Sequence, residues 1–200
     1  VYYTDDFEVV SKADFSPLTK ADKNAHQKIQ EILQSTRLPV LSEEGIHTPY
    51  EERRKWELFW LVDPLDGTKE FIKRNGEFTV NIALIEDGKP TLGIVLAPAT
   101  DTLWRGAAGL GADKSERDGP FAPIHTRPAP AGGLTACASR SHAIYSDLDI
   151  WFRSNNLTVA DRVQAGSSLK FCLIAEGKAD IYPRFGPTNE WDTAAGQGVL

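Results

Sequence analysis

Apolar or small residues recur at Ala21, Ala25, Ile29, Ile32 and Leu33 among polar neighbours. That spacing gathers them on one face of a helix, so Thr19 to Leu33 reads as an amphipathic helix with Thr19 and Asp22 in capping-box positions. The short run Leu38-Pro39-Val40-Leu41 reads as a strand that delivers Ser42-Glu43-Glu44-Gly45 to its end. His47 to Lys55 is polar and charged, an exposed excursion. Leu58-Phe59-Trp60-Leu61-Val62 is a buried-strand candidate ending at Asp63. Phe78 to Glu86 and Thr91 to Leu96 flank Asp87-Gly88-Lys89-Pro90 as the arms of a hairpin flank its turn. This first part reads as a meandering antiparallel sheet.

From about Gly106 to Gly133 the chain is rich in Gly, Pro and charge, and apolar periodicity disappears. A domain boundary is expected there, with residues 1–131 an α+β domain and residues 132–200 an α/β domain. Beyond it, Leu134 to Ser139, Leu157 to Val163 and Ala179 to Tyr182 read as strands, separated by helical patterns at Ile144 to Arg153 and Ser168 to Glu176. Thr193 to Leu200 reads as the start of another helix. The class predicted for the whole is α/β. Because the chain opens at Val1 and stops inside that helical run, both termini read as cut and the second domain as incomplete.

Two hundred residues, 41% hydrophobic and 10% aromatic, suffice for a packed core. A net charge of -6 disfavours a nucleic-acid polymer as partner, since such binders carry a basic face. Cys137 and Cys172 sit in no CxxC and beside no histidine pair, which points away from a zinc site or disulfide framework and toward a reducing cytoplasm. No run approaches the ~18–20 apolar residues of a membrane span, and no signal peptide is apparent.

Chemistry concentrates in Asp63-Pro64-Leu65-Asp66-Gly67-Thr68. Two carboxylates three residues apart follow a hydrophobic strand, and the proline and glycine turn the chain so that both face one point. With the Leu65 carbonyl they make an oxygen cradle of the kind magnesium prefers. Taken alone, the same residues also make an ordinary surface turn. The acidic pair Glu43-Glu44 and Asp192, after Trp191, lie at the ends of other elements. Gathered together, such carboxylates repel unless cations neutralise them, and paired metal ions about 4 Å apart clamp a phosphoryl group in displacement reactions. Of the adjacent pair only one side chain is expected to point inward, and Glu43 is chosen. A helix following Asp192 would add amide donors for a phosphate. Gly166-Ser167-Ser168 reads equally as a helix cap or as a ribose or phosphate contact, and Lys170 and Arg184 as pocket cations or surface charges. His26, His47, His125 and His142 show no partner spacing and are assigned no role; Trp60 and Trp191 are read as core packing.

Ser42-Glu43-Glu44, the segment Trp60 to Phe71, and Trp191-Asp192-Thr193-Ala194-Ala195-Gly196 resemble the signature segments of the inositol monophosphatase superfamily. Lys69 to Asn81, Gly166 to Leu173 and Tyr182 to Thr188 resemble in particular its bacterial CysQ-type 3'(2'),5'-bisphosphate nucleotidase branch. The similarity covers nearly the whole chain and weakens between Leu103 and Ala131. It implies a layered sandwich of alternating helices and sheets. Implied as metal ligands are Glu43, Asp63, the Leu65 carbonyl, Asp66 and Asp192, holding two or three magnesium ions with Asp63 as a bridge. Thr68, paired with either Glu43 or Asp22, would orient the attacking water and accept its proton, making Asp22, Thr68 and Glu43 the catalytic group. Substrate contacts are implied for Glu43, Leu65, Asp66, Gly67, Thr68, Ser167, Lys170 and Asp192. The implied substrate is a small nucleotide bisphosphate, adenosine 3',5'-bisphosphate losing its 3'-phosphate. Sulfate assimilation is the implied context, and lithium the implied inhibitor. The resemblance further implies a monomer or homodimer in the cytoplasm, with peripheral association at the inner membrane. An inositol or sugar phosphate stands as the alternative substrate, and a catalytically silent nucleotide- or metal-binding module as the alternative from another class.

Overall fold

The computed structural model describes residues 9–11, 17–139 and 145–200. Strands β1 (Val9–Ser11) and β2 (Pro17–Thr19) pair antiparallel and lead into α1 (Lys20–Leu33). Next come β3 (Val40–Ser42), the one-turn α2 (Tyr50–Arg53), β4 (Leu58–Asp66) and the short α3 (Thr68–Ile72). A run of five strands follows: β5 (Thr79–Glu86), β6 (Lys89–Ala97), β7 (Thr102–Ala107), β8 (Gly111–Glu116) and β9 (Ala122–Ile124). The chain then forms β10 (Leu134–Ser139), α4 (Tyr145–Ser154), β11 (Val159–Ala165), α5 (Leu169–Ala175) and α6 (Glu190–Val199).

Among the described residues, β3 to β9 form one seven-stranded sheet in sequence order, and β10 pairs parallel with β11 in a second, smaller sheet. In the larger sheet β3 runs parallel to β4, and every later pair is antiparallel. Along β5 the alternate residues Thr79, Asn81, Ala83 and Ile85 are buried, which fixes one face of the sheet on the core. Leu61, Ala83, Val95 and Trp104 of that face pack against Cys172 and Ala175 of α5 and Ala194, Ala195 and Val199 of α6.

The closeness of α6 to the sheet follows from missing side chains. A Cβ on Gly93 would stand 2.1 Å from the Ala195 carbonyl oxygen, and one on Gly198 would stand 2.7 Å from the Gly93 nitrogen. Helix and strand backbones therefore nearly touch, and the first turn of α6 is carried to the end of β4 where the acidic residues lie.

Several expectations shift. Gly106 to Gly133, read as a structureless boundary, contributes the end of β7 and all of β8 and β9. These are the outer strands of the sheet, with little apolar alternation to betray them. The 131/132 division coincides with the passage from the large sheet to the small one, while α5 and α6 pack back on the first core. Ala179 to Tyr182 forms no strand, only a parallel bridge between Ile181 and Ala136. The hairpin turn is Asp87-Gly88 alone, both with positive φ, and Lys89 and Pro90 already belong to β6. Helix α6 begins at Glu190, so Asp192 lies inside its first turn rather than ahead of it. Ile144, the expected start of α4, and His142 lie outside the described residues.

Candidate active site

The β4 strand runs through the acidic segment and bends there. Its register against β5 shifts between the pairs Asp63 with Asn81 and Asp66 with Thr79, so Pro64 and Leu65 bulge and both aspartates turn toward the same side. The bulge is pinned by the Leu65 amide, which donates to Asp63 Oδ1 at 3.0 Å. Gly67, at φ +88, then reverses the chain into α3. A Cβ there would meet the Glu77 carbonyl oxygen and Ser167 Cβ, each at 3.2 Å.

Asp63, Asp66 and Asp192 each bring a carboxylate oxygen within 4.8 Å of the other two. Asp192 is held by its own helix end: its Oδ2 accepts from the Asn189 amide at 2.8 Å and from Thr188 Oγ1 at 2.9 Å. Glu43 stands beside this group, and its carboxyl hydrogen bonds with that of Asp63. Burial first, then the charges of Asp66, Glu43 and Asp192, push the Asp63 carboxyl well above the usual carboxylate range. Burial and Asp192 also raise Asp66, against the hydroxyls of Ser167 and Ser168 and the Lys170 ammonium. Crowded carboxylate oxygens of this kind are a donor set suited to a hard divalent cation, whose charge offsets the like-charge repulsion that adds to burial in both shifts.

Asp66 is oriented by a network that sequence reading missed in part. Its Oδ2 accepts from Ser167 Oγ at 2.8 Å, Ser168 Oγ at 3.0 Å and Asn81 Nδ2 at 3.3 Å. Thr79 Oγ1 lies 2.5 Å from Ser167 Oγ and donates to Asn81 Oδ1 at 3.0 Å. Thr79 and Asn81 occupy the inward phase of β5, the same phase as Ala83 and Ile85. Polar residues in the buried register of an amphipathic strand were the signal that could have found them. Ser168 Oγ spends its bonds on Asp66, Asn81 and the Asp192 carbonyl, and makes no cap bond to α5.

On the other flank, Asp22 reaches in from α1. Its Oδ2 accepts from the Thr19 amide at 2.7 Å and from Thr19 Oγ1, completing the expected capping box, while Oδ1 accepts from Thr68 Oγ1 at 3.3 Å. Of the two partners left open for Thr68, the geometry places Asp22 against it. The Leu65 carbonyl oxygen lies 3.4 Å from the same hydroxyl.

Asp66, Gly67, Thr68, Ser167, Lys170 and Asp192 line a cavity of about 520 Å³, whereas Glu43 lines a separate cleft with Ser42 and Trp191. Lys170 is buried, donating to the Ala165 carbonyl at 3.1 Å and the Ser167 carbonyl at 2.5 Å, with its ammonium 5.0 Å from the centre of the Tyr182 ring. Burial pushes this ammonium down, and Asp66 opposes that shift. Arg184, at the exposed rim, donates to the Pro187 carbonyl at 2.7 Å.

The profile of the inositol monophosphatase family matches residues 2–200. The chain belongs to the inositol monophosphatase family. Within the family it is 50% identical over 198 residues to the 3'(2'),5'-bisphosphate nucleotidase CysQ of Escherichia coli K12, covering 98% of this chain and 77% of that protein. The crystal structure of CysQ from Bacteroides thetaiotaomicron superposes with a TM-score of 0.80 at 45% identity, over 94% of this chain and 74% of the other. An IMPase/NADP phosphatase solved with Mg2+ and phosphate shares the fold, with a TM-score of 0.76 at 20% identity over 95% of this chain and 70% of that one. The family's layered arrangement of sheets and helices is the one described above.

Proposed function

We propose that this protein is a magnesium-dependent 3'(2'),5'-bisphosphate nucleotidase that removes the 3'-phosphate of adenosine 3',5'-bisphosphate, leaving AMP. The observation that carries the reading is the three-carboxylate cluster whose members Asp66 and Asp192 line one cavity with a buried lysine, in a chain half identical to a curated CysQ.

Asp63, Asp66 and Asp192, with Glu43 and the Leu65 carbonyl, would hold two or three magnesium ions. Magnesium bound there supplies an activated water as nucleophile near neutral pH and stabilises the departing oxygen. Thr68 Oγ1 takes a proton from the attacking water as it passes its own to Asp22 Oδ1, the oxygen that Thr19 does not bond. The amides of Gly67 and Thr68, exposed by the left-handed turn, donate to the phosphate being cleaved. Beside Asp66 on the same cavity, Ser167 and Lys170 address the phosphate that stays on the nucleotide. A monophosphate lacks that second anion, so this wall favours a bisphosphate.

The enzyme serves sulfate assimilation and acts in the cytoplasm as a monomer or homodimer. No described helix is long and apolar enough to cross a membrane. Lithium competes for one magnesium position and inhibits.

Phosphate release from adenosine 3',5'-bisphosphate, inositol 1-phosphate and a sugar phosphate, with and without magnesium, tests the reading. Turnover of the bisphosphate above the others, lost in EDTA and reduced by millimolar lithium, is expected. Efficient cleavage of inositol 1-phosphate with the bisphosphate untouched would overturn the substrate, and nucleotide binding without any phosphate release would make the chain a silent binding module.

A further inference from the structure

Helix α1 presents a second polar side chain to the site one turn beyond Asp22. Residues four apart share a helix face, and from that face His26 places its Nδ1 2.9 Å from Ser42 Oγ. Ser42 is the last residue of β3 and is buried. The next residue is Glu43, whose carboxyl meets Asp63.

Strand β3 is anchored in the core by Leu41. It is an edge strand of three residues, hydrogen bonded within its sheet to β4 alone. Past Ser42 the chain leaves the sheet through a turn closed by the Gly45 amide on the Ser42 carbonyl at 3.0 Å, and the Glu43 amide makes one last bond to the Val62 carbonyl at 3.1 Å. All of these backbone bonds lie along the strand or toward β4. The bond from His26 comes out of a different element, α1. The imidazole also packs on the turn itself: a Cβ on Gly45 would lie 3.5 Å from His26 Cε1.

We propose that His26 is a positioning residue which, through Ser42, holds the turn that sets Glu43 against Asp63. The inference rests on the reading of Glu43 and Asp63 as metal ligands. One face of α1 then braces the site at two points, Thr68 through Asp22 and Glu43 through the His26–Ser42 bond.

Magnesium binding to the full chain, measured by calorimetry without substrate, tests this together with metal-free melting and bisphosphate turnover across a magnesium series. His26→Leu and Ser42→Ala each remove one partner of a single hydrogen bond, and each is expected to raise the magnesium Kd by about threefold to tenfold. Saturating magnesium recovers kcat, and the metal-free Tm stays within about 3 °C of the parent. The double variant binds no more weakly than either single one, and His26→Asn, whose amide sits where Nδ1 stood, restores the Kd to within about twofold of the parent. Parent-like magnesium binding in His26→Leu, additive losses in the double variant, or failure of His26→Asn to rescue overturns the proposal. If His26→Leu does not fold, Ser42→Ala, which removes one oxygen atom, decides it by the same measure. Failure of the nucleotidase reading is distinguishable: the parent then binds magnesium and releases no phosphate from the bisphosphate, with the effect of His26→Leu on metal binding intact. A parent that binds no magnesium overturns both.

Discussion

One wall of the site is made by Asp63, Asp66 and Asp192, whose carboxylates crowd within 4.8 Å of one another and of which Asp66 and Asp192 line the cavity, while the adjoining wall is made by Lys170, which donates to the carbonyl oxygens of Ala165 and Ser167. Both walls bury charge, and burial drives both toward neutrality: Asp63 and Asp66 are raised, Lys170 is lowered. They differ in what their neighbours do. The lysine is held by oxygens that accept from it, whereas the aspartates, though hydrogen bonded, also face like charges that add to the effect of burial. A folded chain can satisfy one wall by itself and leaves the other to be completed by cations.

The strongest way to probe that difference is to neutralise each wall in turn. Asp63→Asn is expected to lower kcat/KM by about 10³-fold or more, since it removes charge from the metal site. It should also raise the metal-free Tm, because the amide oxygen still accepts from the Leu65 amide while the repulsion disappears. Activity equal to the parent refutes the site. Asp22→Asn, which leaves Thr68 without its proton acceptor, is expected to reduce kcat by about 10²-fold with magnesium binding intact in calorimetry. Lys170→Met is expected to act in the opposite sense to Asp63→Asn on stability, lowering the metal-free Tm because the Ala165 and Ser167 carbonyls lose their donor. Its KM for the bisphosphate should rise about tenfold, with a smaller change for a monophosphate.

The pH dependence of metal stabilisation sharpens the same contrast. The folded-state pKa values of Asp63 and Asp66 lie above their unfolded values, so the metal-free fold gains from their protonation below about pH 4 and loses that gain as pH rises through the raised values. The Tm increment from magnesium over EDTA is therefore expected to be larger at about pH 7.5 than at about pH 5. An increment independent of pH would place the ion elsewhere. His125→Ala, outside the residues lining this cavity, is expected to leave kcat/KM within about twofold of the parent, and gives the assays their baseline.

Much of this was legible before any coordinates. The capping box at Thr19 and Asp22, the helix that follows it, the strand into Asp63 and the bend from Asp63 to Thr68 depend on residues within a turn or two of each other, and local chemistry specifies them. The outer strands β8 and β9 were not legible, because they bury little and their apolar alternation is weak. Nor was the hydrogen bond from Thr68 to Asp22, a contact across 46 residues that only the packing of α1 against β4 decides.

The sequence by itself determined which residue types were available to hold a metal and the local bend that presents two of them. Tertiary structure alone decided that Asp192 joins Asp63 and Asp66, because that depends on α6 settling almost backbone to backbone on Gly93. It also decided that Thr79 and Asn81, polar residues in a core register, support Asp66. Carboxylates distant along the chain repel, and only the burial of α5 and α6 against the sheet supplies the free energy that holds them together.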